Sequence, residues 1–132
     1  MQPITRSIDS EFVVMSPDKQ VSIEPWDPGL YERLDKQYGS FAGHELIACH
    51  SFDSDWPTWE IHPHGDEVVL LLDGEATFLI KMPGGETTLT LETPGDYVVV
   101  PRNTWHTAKT ARHSKMLFIT PGEGTLNEES PD

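Results

Sequence analysis

A chain of 132 residues is long enough for one packed domain and too short for two independent cores. Its formal net charge of −13 would repel a phosphate backbone, which excludes nucleic acid as an expected partner. The longest apolar runs, Val68 to Leu72 and Val98 to Pro101, fall far short of the roughly twenty residues a membrane-crossing helix needs, so no membrane partner is expected.

The one cysteine, Cys49, lies in an apolar segment and reads as a small buried hydrophobe. A single unpaired cysteine and an N-terminus without an apolar leader core point to a reducing, cytoplasmic setting.

In chain order, the first elements are two short strands, Phe12 to Met15 and Val21 to Glu24, split by the turn Ser16-Pro17-Asp18. A short helix follows. Pro28 suits a first turn, Leu30, Leu34 and Tyr38 recur at spacing four, and Gly39 is a natural stop. From there the pattern is strand after strand: Glu45–Phe52, Thr58–His62, Glu67–Leu72, Ala76–Met82, Thr87–Leu91, Tyr97–Val100, Trp105–Lys109 and Met116–Thr120. Turn residues separate them, including Asp73-Gly74, Pro83-Gly84-Gly85 and Pro94-Gly95-Asp96. Many short, evenly spaced strands predict an all-β sandwich or closed barrel.

The segment from Gly122 onward is acidic and lacks period, and is expected to be a mobile tail. The chain is thus a single domain over 1–132, with N-terminal strands and helix at about 10–40, a barrel core at about 45–121 and a tail at 122–132. Val68 to Leu72 is apolar at every position, where a half-exposed strand would alternate. Both of its faces are expected to be covered, one by the barrel interior and one by a second sheet or a partner subunit, and a homodimer is expected.

The chemistry concentrates in WEIHPHGDEVVLLLDG. In an extended chain Glu60, His62 and His64 point to one side. The turn Pro63-His64-Gly65-Asp66 then leads to Glu67, which opens the returning strand. Far downstream, His106 follows a second turn in PGDYVVVPRNTWH. Imidazole and carboxylate donors with so little cysteine suit one divalent transition metal: Fe, Mn, Zn or Ni.

These stretches resemble the two motifs of the cupin superfamily, roughly G-x5-H-x-H-x3–4-E-x6-G and G-x5-P-x-G-x2-H-x3-N. Glu67 stands seven positions before Gly74, as in the first motif. Gly95, Pro101 and His106 keep the spacing of the second, with Asn103 in place of the usual glycine and Thr110 in place of the final asparagine. The resemblance runs from about Thr58 to Lys109 and implies a small single-domain protein of the cupin_2 kind. It implies a double-stranded β-helix, the jelly-roll barrel, with one short helix in the N-terminal third.

The resemblance also implies a metal held by His62, Glu67 and His106. His62 and His64 stand one residue closer to Glu67 than the family pattern has them. Two ligand sets follow: with His64 as the fourth ligand, or with Glu60 in its place. His64 is favoured, because a shortened loop still presents it.

The function implied is that of a metal-dependent enzyme, a dioxygenase or an isomerase or lyase, acting on a small and carboxylate-bearing molecule. The competing reading is a non-catalytic small-molecule binding or sensing barrel. Arg102, in the turn before His106, is the candidate to clamp a substrate carboxylate. Trp59 and Trp105 adjoin ligand candidates and are expected to point away from them, into packing.

Overall fold

The computed structural model describes residues 2–131. Eleven strands and one helix follow in chain order: β1 (Glu11–Met15), β2 (Val21–Pro25), α1 (Leu30–Gln37), β3 (Glu45–Phe52), β4 (Trp59–Ile61), β5 (Glu67–Asp73), β6 (Ala76–Met82), β7 (Gly85–Leu91), β8 (Tyr97–Val100), β9 (His106–Lys109), β10 (Ser114–Thr120) and β11 (Leu126–Glu128). They form two antiparallel sheets, ordered β2-β1-β3-β10-β5-β8 and β11-β4-β9-β6-β7. This is a jelly-roll sandwich.

The core follows from strand alternation. Val69 and Leu71 of β5, Met116 and Phe118 of β10 and Val98 and Val100 of β8 face inward from the first sheet. Phe78 and Ile80 of β6 and Ala108 of β9 meet them from the second. Strand β5 therefore alternates despite its uniform composition: Val68 and Leu70 lie half-buried on the outer face.

Cross-strand register lines up an apolar row across the whole outer face of the six-stranded sheet. Val99 stands opposite Val68, Val68 opposite Ile119, Ile119 opposite Ile47, Ile47 opposite Val13 and Val13 opposite Ile23.

A second cluster closes the other end of the sandwich. Leu30 and Leu34, one helical turn apart, bury against Phe12 and Val14 of β1 and Leu46 and Ala48 of β3. Polar contacts hold α1 in place. The buried carboxylate of Glu24 on β2 accepts hydrogen bonds from Arg33 and, at 2.7 Å, from Tyr38 Oη. Arg33 also pairs with Asp27 at 2.8 Å. A desolvated carboxylate is tolerated there because cationic and hydroxyl donors surround it.

The acidic C-terminal segment differs from the expected mobile tail. Residues Leu126–Glu128 pair with β4 as an antiparallel edge strand, Leu126 opposite Ile61 and Glu128 opposite Trp59. Strand β4 is short and otherwise paired only with β9, so its open edge accepts another strand. Apolar periodicity cannot reveal such a strand, because all three of its residues are exposed.

Gly74, between β5 and β6, has φ +86°, and a Cβ there would stand 2.1 Å from the carbonyl oxygen of His113. Gly74→Ala is expected to destabilise the fold by about 2–4 kcal/mol, from left-handed strain plus the backbone clash. The melting midpoint should fall by roughly 5–15 °C. Gly84→Ala, where a Cβ meets nothing within 4 Å, is the control and should leave the midpoint nearly unchanged. Equal midpoints for both variants would refute the assignment.

Candidate metal centre

Four side chains from three strands and one strand end converge inside the sandwich. Glu60 of β4 and His62, just past its end, project to the same side, as alternation requires. Glu67 opens β5 and His106 opens β9, whose pairing sets Glu60 opposite His106. The linkage between the two motif stretches is direct: the backbone N–H of Asn103 donates to the carbonyl of His62 at 2.9 Å. Asn103 holds φ +57°, the left-handed conformation that the glycine of the family pattern adopts without strain and asparagine tolerates.

Glu67 lies at the centre, with only 2% of its surface exposed, beside His62 at 5% and His106 at 0%. One carboxylate oxygen stands 3.1 Å from His106 Nε2 and the other 3.2 Å from His62 Nε2. Glu60 Oε2 lies 3.7 Å from His62 Nε2. Ligand atoms of Glu60, His62 and His106 all fall within 4.8 Å of one another. Donors bound at about 2.1 Å to a common ion stand roughly 3–3.5 Å apart, so the spacing fits a metal.

Hydrogen bonding sets the ring nitrogens. His106 Nδ1 faces the carbonyl of Thr104 at 3.1 Å, which can only accept, so Nδ1 carries the proton. His62 Nδ1 meets Thr125 Oγ1 at 2.8 Å, and that hydroxyl already donates to the carbonyl of Gly122 at 3.0 Å. With Nδ1 so engaged, each imidazole turns its Nε2 toward Glu67, the nitrogen that would bind an ion. Thr120 Oγ1 donates to Glu67 Oε2 at 2.6 Å, and Asn127 Nδ2 donates to Glu60 Oε1 at 3.4 Å. What remains is His62 Nε2, His106 Nε2 and Glu67 Oε1, all buried and without a hydrogen-bond partner. Buried polar atoms are seldom left so, and a divalent ion would satisfy all three.

The electrostatics match. Burial alone would raise the pKa of Glu67, but the close imidazoles of His106 and His62 override it and hold the carboxyl at about 2. Burial alone would lower His106, but Glu67 overrides it and raises the imidazole above its ordinary value. Glu60 is pushed up, first by burial and then by Glu67.

His64, expected as the fourth ligand, stands apart from this group. The turn after Ile61 rotates the chain, leaving the side chain 56% exposed with Nε2 3.9 Å from Glu123 Oε2. Glu60 occupies the place beside the two imidazoles instead. Arg102 is also outside: it is exposed and held by its backbone, the N–H donating to Asp66 Oδ1 at 2.7 Å and the carbonyl accepting from Thr104 Oγ1 at 3.1 Å.

The cluster opens onto a cavity of about 620 Å³ between the two sheets and α1. Glu60, His62 and Glu67 form part of its wall, with Phe52, Trp56 and Phe118 beside them. Trp56 packs edge-on to His106, with ring centroids 6.2 Å apart. Trp59 points elsewhere, its ring under Lys81 Nζ at 4.9 Å. Three contributors escaped sequence reasoning: Thr120, Thr125 and Asn127 are lone polar residues in or after the last predicted strand, with no motif around them. Their one signal is that small polar side chains flank the barrel's final strand.

No family model matches the sequence, and no curated protein matches it. Solved structures do. Oxalate oxidase is similar at 20% identity with a TM-score of 0.54, over 62% of this chain and 45% of that one. A cupin-2 domain protein from Shewanella frigidimarina is similar at 19% identity with a TM-score of 0.50, over 58% of this chain and 70% of that one. Oxalate decarboxylase of Bacillus subtilis, a protein described with Mn(II) centres, is similar at 16% identity with a TM-score of 0.51, over 64% of this chain and 23% of that one. The chain thus spans less than half the length of the oxalate oxidase it matches. Likeness at these identities is likeness of fold. Together with the two-sheet jelly roll and the paired motif stretches, it shows that this chain has the cupin fold.

Proposed function

We propose that this chain is a metal-dependent enzyme of the dioxygenase or isomerase–lyase type, acting on a small molecule in the cavity between its sheets. One observation carries the reading: three buried donor atoms, His62 Nε2, His106 Nε2 and Glu67 Oε1, lack partners, and His62 and Glu67 line a cavity large enough for a substrate. His62, His106 and Glu67 would hold the ion, with Glu60 as the fourth donor. A divalent transition metal there supplies Lewis acidity and, as iron or manganese, redox capacity. The residues around it do the rest. Thr125 and the Thr104 carbonyl orient the imidazoles. Thr120 fixes Glu67. Phe52, Trp56 and Phe118 exclude water from that wall.

The proposal also includes a homodimer through the outer face of the six-stranded sheet. Val99 is 48% exposed and Tyr97 64%, at the edge of the apolar row running from Val99 to Ile23. Six strands at about 4.8 Å spacing make a face roughly 25 by 20 Å. With side-chain relief that approaches the about 800 Å² per partner of a standard interface. The row itself carries no charge, and Glu11, Glu45 and Lys115 share its face. Light scattering should give twice the chain mass, and Val68→Lys with Val99→Lys should give the monomer. A monomeric wild type would overturn the interface.

Elemental analysis of purified protein should find close to one transition metal per chain. His106→Ala should lose it and His64→Ala should keep it. Thr125→Val, which removes only the orienting hydroxyl, should weaken metal affinity by about 10- to 100-fold. Equal metal in wild type and His106→Ala would be inconsistent with the centre.

The pH dependence has two opposite signs. In the metal-free protein Glu67, held at about 2, contributes stability above its ordinary value of 4.5 that is lost as pH falls from there toward 2. His106, raised above 6.5, contributes stability below 6.5 that is lost as pH rises through its raised value. Melting of chelator-treated protein should therefore show this cluster's contribution greatest between 4.5 and 6.5. Metal affinity should instead climb as pH rises above 6.5, by at most about tenfold per pH unit for each proton displaced. A flat affinity profile would exclude His106 as a ligand.

A further inference from the structure

Elements other than those of the donor cluster, α1 and β3, also line the cavity, and they hold a second polar pair. Tyr31 Oη of α1 and His50 Nε2 of β3 are 2.7 Å apart, and both residues line the cavity. Their rings stack at 6.3 Å with an interplanar angle of 29°. The imidazole is locked by edge contacts with Phe12 at 5.3 Å and Trp26 at 5.8 Å. Burial lowers the pKa of His50, so the ring is neutral near pH 7. Burial first, and then Glu60 and Glu67, push the Tyr31 phenol up to about 12, so it too is neutral. A neutral tyrosine–histidine pair joined by one hydrogen bond still offers a further one to a third group, from the phenol oxygen or its proton.

The charge of the cavity is one-sided. Asp35, Glu60 and Glu67 line it, and neither lysine nor arginine does. No cationic side chain lines the cavity to clamp an anionic ligand, and the carboxylates that do line it oppose one. Aromatic side chains line it too: Phe41, Phe52, Trp56 and Phe118. Flat apolar walls favour a ring, and about 620 Å³ accommodates one or two.

We infer that the cavity selects an uncharged, hydroxyl-bearing aromatic ligand, held by the donor cluster and the Tyr31–His50 pair, and rejects small carboxylates. The inference rests on this cavity being the working pocket proposed above. It departs from the carboxylate-bearing substrate expected from the sequence, because Arg102, the cation that expectation relied on, does not line the cavity. It also separates this chain from what the names of its oxalate-using structural neighbours suggest. Tyr31 and His50 are binding residues here, and their recruitment ties ligand occupancy to the seating of α1.

The test is calorimetric titration of the full chain, both zinc-loaded and metal-free, with 4-methylphenol, benzoate and oxalate; zinc is redox-silent, so no turnover intervenes. The expected result is binding of 4-methylphenol at least tenfold tighter than benzoate or oxalate in at least one of the two forms. Tyr31→Phe should weaken 4-methylphenol by about three- to tenfold, the worth of one hydrogen bond, with metal content unchanged. The wild-type comparison needs no variant and stands even if Tyr31→Phe folds poorly. Tighter binding of benzoate or oxalate, or no binding of 4-methylphenol to either form, overturns the inference. Tyr31-dependent binding of 4-methylphenol by a protein that takes up no metal would uphold this ligand class and sink the metal centre instead.

Discussion

The structure turns on a carboxylate placed where no carboxylate should be stable alone. Glu67 is fully enclosed between two sheets, and the desolvation of an unpaired anion there would cost several kcal/mol. It survives because two imidazoles face it at 3.1 and 3.2 Å and a threonine hydroxyl donates to it. Without an ion, Glu67 strengthens the hold of His106 on a proton, and the imidazolium so favoured is the matching counter-charge. With an ion, the same three donors would converge on the metal. One cluster can thus be occupied by a proton or a metal, and the acidity of the medium sets the exchange between them.

That constraint explains why the last strands matter. His62 and His106 must present Nε2, and this depends on what holds Nδ1. For His106 the Thr104 carbonyl, two residues away, is enough. For His62 the partner is Thr125, which follows β10 and precedes the edge strand β11. The C-terminal segment is therefore part of the site as well as part of the sheet, with Asn127 of β11 holding Glu60. Pairing β11 with β4 brings both residues to the cluster.

The cavity joins the two hydrophobic clusters. Leu34, Phe41, Leu46 and Ala48 belong to the packing of α1 on the sheet and also line the cavity. Phe118 belongs to the inter-sheet core and lines it from the other side. The helix is held on its outer flank by Arg33 and Tyr38 bound to Glu24, and on its cavity flank by Tyr31 bound to His50. A short helix with two such anchors makes a firm wall, and the polar atoms of the inner anchor are the ones a ligand meets.

Much of this was legible in the residues. Period-two patterning and turn chemistry located Ala76–Met82 and Tyr97–Val100 to the residue, because their inner and outer faces differ. The spacing of Glu67 from Gly74, and of Gly95 and Pro101 from His106, placed those residues in one fold. The alternation of Glu60 and His62 put both on one side of a strand. What the sequence could not decide depends on where strands stop and what they meet. His64 shares that alternation, but the strand ends at Ile61 and the turn carries its side chain outward. Val68 to Leu72 reads as buried on both faces, yet the sheet leaves one face outward, since apolar composition reports neither neighbour nor register. Arg102 lies close to His106 in sequence and outside the cavity in space. The strand β11 and the threonines around Glu67 and His62 act through partners 53 and 63 residues away, and only folding brings such distances to a hydrogen bond.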